Sequence, residues 1–160
     1  MTANTITWSL KPFEELSVYE LYKLFHLRLE VFAVEQRCSY QDADGKDLTA
    51  THLMAFDAKQ NLLAYSRLIP AGIAFKEVSI GRVVTSPGSR RTGLGRQLMQ
   101  NSIGACIKLF GNVPIRIGGQ CYLIKFYESY GFVIAGEVYL EDGIEHVEML
   151  YTPGQVAPNQ

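Results

Sequence analysis

The chain has 160 residues, 48% of them hydrophobic, with 15 basic and 16 acidic side chains and a formal net charge of -1. That length suits one domain that buries a single core without staples, and the charge balance gives no field that would draw nucleic acid or an anionic membrane. The three cysteines lack CxxC spacing and the three histidines are scattered, so neither a disulfide framework nor a zinc site is legible and no metal is expected.

The first 13 residues hold no basic stretch followed by an apolar run, and no segment approaches the ~18 apolar residues of a membrane span. A cytoplasmic protein is expected. Residues 5–10 alternate around Trp8 and predict a first strand that ends before Lys11-Pro12. Over 17–35 the period turns helical: Val18, Tyr22, Phe25, Leu29 and Phe32 form one stripe, and Leu24, Leu27, Val31 and Val34 another. The pattern predicts one long helix, buried over much of its circumference. Arg28 and Glu35, seven residues apart, would project from the same side, as a solvated edge or toward a cleft. Residues 37–48 have no apolar period and carry Asp42, Asp44 and Asp47 around Gly45, a loop without the closing glutamate of a calcium site. Strands follow over 52–56 and 62–69, joined as a hairpin by 57–61.

The stretch 78–110 organises the rest. A β-branched run over 78–85 leads through a polar turn, 86–92, to Gly93-Leu94-Gly95, where a helical period begins. Apolar or small residues at 98, 102, 105 and 109, and at 99, 103, 106 and 110, give that helix one wide buried face. A helix start presents unpaired N–H groups and the positive end of the macrodipole. Arg90, Arg91 and Arg96 beside the glycines add charge-assisted bonds suited to a diphosphate. The loop lacks the Gly-Lys-Ser/Thr ending of Walker A, and the third glycine and later acid of the dinucleotide fingerprint. Beyond it, a strand over 113–118 begins near Pro114, a short helix over 121–130 stops at Gly131, and strands over 132–140 and 144–151 flank Glu141-Asp142-Gly143, a hairpin signal. The order predicts an α/β fold: a mixed sheet with helices on both faces and one parallel crossover. A single domain is expected over 1–152, with a frayed tail over 153–160.

Arg90-x-x-Gly93-x-Gly95 between strand and helix, followed by QCYLIKFYESYGF over 120–132, resembles the two cofactor segments of the GNAT N-acetyltransferases. Arg28-x-x-Val31-Phe32-x-x-Glu35-Gln36, Cys38-x-Tyr40, Asp44-Gly45-x-Asp47, Gly81-Arg82-Val83-Val84 and Glu141-Asp142-Gly143-Ile144-x-His146 are similar to the ElaA-type branch, with Ser39 standing where that branch tends to have proline. The resemblance implies acetyl-CoA as donor and a GNAT fold in which the strands around the cofactor loop splay apart. It implies pantetheine contacts from Val83, Val84 and Thr85, a pyrophosphate loop of Arg90, Arg91, Thr92, Gly93, Leu94, Gly95 and Arg96, and further cofactor contacts from Gln120 and Phe126. Tyr127 occupies the family's general-acid position; the alternative is an aromatic that packs against CoA or the core.

The base is unassigned. Glu77 lies where some members place one, and Glu35, Asp44 and His146 are equally open. Cys121 could in principle accept an acyl group, although a packed cysteine fits better. Arg28, Phe32, the three aspartates and Arg67 also follow the order found in acyl-homoserine lactone synthases, but the intact Arg-x-x-Gly-x-Gly loop implies free CoA. Arg28, Glu35 and the acidic loop are expected to line the acceptor side and favour a small cationic amine or a peptide amine. Two other classes stay open: a non-catalytic acyl-CoA sensor and a plain interaction domain. A homodimer is compatible with the family.

Overall fold

A computed structural model describes residues 5–155. The first strand, β1, is Thr7–Pro12 and, among the described residues, pairs only with β2, Thr51–Phe56. It runs on through Lys11 and Pro12 rather than ending before them, because Pro12 closes an edge strand where its missing N–H costs nothing. Helix α1, Val18–Arg28, starts at a capping box: Ser17 Oγ accepts from the Glu20 N–H at 3.1 Å, and the Ser17 N–H donates to the Glu20 carboxylate at 2.8 Å.

The predicted single helix over 17–35 is two pieces. After α1 the backbone widens into a π-helical turn, Leu29–Glu35, in which the Gln36 N–H donates to the Val31 carbonyl at 2.9 Å. Leu24, Leu27 and Val31 are buried, whereas Val18 and Tyr22 remain 75% and 71% exposed, so the segment buries one face rather than most of its circumference.

Strand β3, Leu62–Ile69, pairs with β2 and with β4, Val78–Thr85. Alternate residues of β2 and β3 serve two cores. Met54, Phe56 and Tyr65 meet α1, while Leu53, Ala55 and Ala64 meet Leu94 and Leu98 of helix α2, Leu94–Phe110. Burial on both faces explains why these strands read as nearly unbroken apolar runs. In the α2 interface Ser102 Oγ donates to the Leu98 carbonyl at 2.7 Å, leaving the Ser66 hydroxyl, 2.8 Å away, to donate to Ser102.

Strand β5, Ile115–Gln120, starts after Pro114 and runs parallel to β4. A short helix α3, Ile124–Glu128, follows one 3-10 turn, Cys121–Leu123, so only part of the helix expected over 121–130 is α-helical. The strand expected over 132–140 is two strands, β6, Phe132–Ile134, and β7, Tyr139–Glu141, both paired with β8, Ile144–Tyr151. Asp142 and Gly143 both take positive φ, 50° and 75°, the conformation a tight two-residue hairpin needs. The eight-stranded mixed sheet runs β1-β2-β3-β4-β5-β8-β6, with β7 also on β8. Among the described residues no helix is long and apolar enough to cross a membrane. The tail expected over 153–160 extends past the described residues.

Candidate active site

Among the described residues the sheet has one parallel junction, and there it comes apart. β4 and β5 pair through Val78↔Ile115 and Ser79↔Arg116 and no further. From Ile80 onward the two strands bound a cleft of about 710 Å³. A bulge contributes to the parting: between Tyr65↔Val84 and Arg67↔Gly81, β4 holds one residue more than β3. Arg82, inside the bulge, has a φ of 50°, which is unfavourable for a side chain and so needs outside support. That support is Asp42, whose carboxylate accepts from Arg82 Nε at 2.9 Å, and Tyr40, whose ring lies 4.8 Å from the guanidinium.

The three aspartates of the loop over 37–48 are held by three arginines from three separate elements. Arg28 donates to Asp42 at 2.9 Å and Asp47 at 2.7 Å. Arg67 grips Asp44 through both terminal nitrogens at 2.7 Å and reaches Asp47 at 3.1 Å. His52 Nε2 donates to the Asp47 carbonyl at 2.9 Å, which leaves Nδ1 to accept from the Tyr65 hydroxyl at 2.6 Å. Burial lowers the His52 pKa and keeps the ring neutral.

Around the cleft, Val83, Val84 and Thr85 come from β4, Arg90 and Gly95 from the loop and first turn of α2, and Gln120, Phe126 and Tyr127 from the far wall. No side chain caps α2, whose Gly93 has a φ of 85°. Arg91, Thr92, Gly93 and Arg96 are exposed around the helix start without lining the cleft, and Leu94 turns its side chain into the core, so only its main chain is available to an anion. Arg90 is engaged by Glu35 at 2.8 Å, and Gln120 Nε2 donates to Gln36 Oε1 at 3.0 Å. The end of the π-helical turn therefore touches both segments whose sequence resembles the family's cofactor segments.

Tyr127 is 6% exposed, with its ring edge-to-face against Phe126 and Phe132 at 5.3 and 6.1 Å. Gly119 makes room for it, since a Cβ there would stand 2.9 Å from the ring. Burial pushes its phenol above the ordinary value, so the group stays protonated.

The acceptor-side residues divide. Glu35, Asp44 and His146 line the cleft; Arg28 and Glu77 do not. Arg28 is wholly buried, neither a solvated edge nor a cleft wall, because the π-helical turn breaks the seven-residue phase and the aspartates beneath α1 claim its guanidinium. Glu77 is bonded by Arg116 at 2.8 and 3.1 Å; those bonds hold its carboxyl at about 2, too weak for a base. Burial opposes the charge on Asp44, but the Arg67 bonds outweigh it and hold the carboxyl well below 3.8. The acidic loop is thus neutralised from within instead of offering net negative charge. His146 Nδ1 donates to the Ile144 carbonyl at 2.7 Å, and its Nε2 lies 3.6 Å from Glu141. Sequence reasoning did not single out Gln36, Tyr122 or Arg82 as cleft residues. Arg82 alone had a visible signal, a charged residue inside a β-branched strand.

Residues 28–153 match the family described as Acetyltransferase (GNAT) domain. Protein ElaA of Escherichia coli K12 is 41% identical over 146 residues, spanning 90% of this chain and 95% of that one. A UPF0039 protein of Schizosaccharomyces pombe is 43% identical over 91% of this chain and 97% of its own. The crystal structure of an acyl-CoA N-acyltransferase from Pseudomonas aeruginosa superposes with a TM-score of 0.87 at 43% identity, covering 92% of this chain and 100% of that one. The crystal structure of Escherichia coli ElaA gives 0.86 at 40% identity, covering 92% and 99%. With the parted parallel strands, the uncapped glycine helix start and these relatives together, the chain belongs to the GNAT acetyltransferase family, in its ElaA-type branch.

Proposed function

We propose that this chain transfers an acetyl group from acetyl-CoA to a primary amine by direct attack, without an acyl-enzyme. The observation that carries this is one cleft bounded by the free edge of β4, the Arg90 and Gly95 end of α2, and the buried Tyr127. The residues present fit the donor. A diphosphate suits the α2 start with Arg90, Arg91 and Arg96 around it, and an extended amide-bearing arm suits the main-chain groups of Val83, Val84 and Thr85 beyond the last β4–β5 rung.

Bound acetyl-CoA supplies the activated thioester. Tyr127 holds a proton within the cleft for the departing thiolate. His146 Nε2 accepts a proton from the amine, its tautomer set by the Ile144 carbonyl. Asp44, tied to Arg67, serves position rather than proton transfer. Gln120 and Phe126 wall the donor side.

A thermal unfolding series with acetyl-CoA tests the cofactor. Ligand at about 100 times its dissociation constant should add roughly 2.7 kcal/mol, and Gly93→Asp, strained at its positive φ and adding a carboxylate to the anion site, should abolish the shift. No shift in the wild type sinks the proposal. Tyr127→Phe should then lose about 10²-fold or more in kcat with unchanged CoA affinity. Unchanged turnover removes Tyr127 from catalysis, and CoA binding without turnover of any amine supports a sensor instead.

A further inference from the structure

Arg67 on β3 is 3% exposed and lines the cleft. Its terminal nitrogens are spent on Asp44 and Asp47. Its Nε–H reaches no protein acceptor, and it is the one buried side-chain nitrogen or oxygen among the described residues in that position. Buried donors are almost always bonded, so an orphan of this kind points to a ligand or a water. Gly81 faces Arg67 across the β3–β4 ladder, and a Cβ on Gly81 would lie 3.6 Å from Nε. Gly81 has no positive φ, so the backbone does not require glycine there. What the missing side chain does is keep the space beside Nε free of a methyl group.

We infer that Arg67 Nε anchors the acceptor by bonding a carboxylate oxygen carried by the amine, so that the substrates are amino acids or amino-acid-like zwitterions. The inference rests on the amine acyltransferase reading above. Charge agrees with it: Arg28, Lys46, Arg67 and Arg82 stand against Asp42, Asp44 and Asp47, an excess of one positive charge for one carboxylate. Glu35, Glu141 and Asp142 also line the cleft and suit the ammonium end. A site that bonds a substrate oxygen with a buried donor rejects the analogue lacking it, because the donor is then left bare.

The test is calorimetric titration of glycine, β-alanine and γ-aminobutyrate, each beside its amide and the alkylamine of the same length, into the protein with and without CoA. The carboxylate member of at least one series should bind about tenfold or more tighter than its alkylamine. That preference should collapse in Gly81→Ala, which lays a methyl over Nε at ordinary contact distance and leaves every ion pair in place. Arg67→Lys, which keeps a cation opposite Asp44 but removes Nε, should lose the preference as well and decides the matter if Gly81→Ala does not fold. Equal binding of carboxylate and alkylamine at every length, a preference for the amide, or a preference that survives both variants overturns the assignment. Loss of the acetyl-CoA shift with the carboxylate preference intact would instead sink the donor reading alone.

Discussion

Arg28 shows what a buried charge demands of its neighbours. The guanidinium is fully enclosed at the end of α1, bonded to Asp42 and Asp47 and stacked 4.7 Å from the Phe25 ring. Removing one partner of such a cluster leaves the others charged and unpaired, so Arg28→Met should cost about 3–5 kcal/mol in urea unfolding. Arg28→Lys should recover only part of it, since an ammonium cannot reproduce the planar fork. At this scale the sequence was least informative. Arg28 sits in a helical period where a polar residue ordinarily means solvent, and its partners lie 14 and 19 positions away in a loop with no period. Motif spacing marked Tyr127, which lies in the cleft wall, and its burial follows from the small Gly119 opposite, a pairing no linear pattern displays.

Among the elements, α2 and the β7–β8 turn were legible because each carries a local signal that tertiary packing did not override: a wide apolar face behind two glycines, and Asp-Gly between alternating runs. The π-helical turn was not. Its residues keep an apolar spacing close to that of an α-helix, and the wider turn shows in the backbone bonds, such as that from Gln36 to Val31. That turn delivers Glu35 to Arg90. The pair is exposed, so it contributes little to stability, but a diphosphate must compete with Glu35 for the guanidinium. Glu35→Gln should leave the unfolding midpoint unchanged and tighten CoA binding by up to about fivefold, read by titration calorimetry. Unchanged affinity would mean that Arg90 is not a phosphate ligand.

Over the whole molecule, the Arg–Asp cluster makes stability depend on pH in one direction. Burial works against the charge on Asp44 and Asp47, yet their arginine bonds outweigh it and hold both carboxyls below 3.8, so the stability they contribute is present above that value and fades as pH falls through their lowered folded values. His52, lowered by burial from 6.5, loses stability as pH drops below 6.5, where the unfolded chain takes up the proton first. The thermal midpoint should therefore stay flat between about pH 7 and 8, decline gently from about 6.5, and fall steeply below about 4, while burial of Cys106 and Tyr127, which raises both their pKa values, takes stability away above about pH 9. A midpoint that rises on acidification below about pH 7 would contradict the assigned pairs.

The two-rung junction between β4 and β5 has a mechanical consequence. One plate, β1 to β4, and another, β5 with β8, β6 and β7, share a seam only as long as Val78-Ser79 against Ile115-Arg116. The core that Val78 and Ile80 share with Ile115 and Ile117 holds the two plates together where the rungs stop, and a guest that hydrogen-bonds along the free edge of β4 acts as a temporary strand, closing the seam for as long as it is bound.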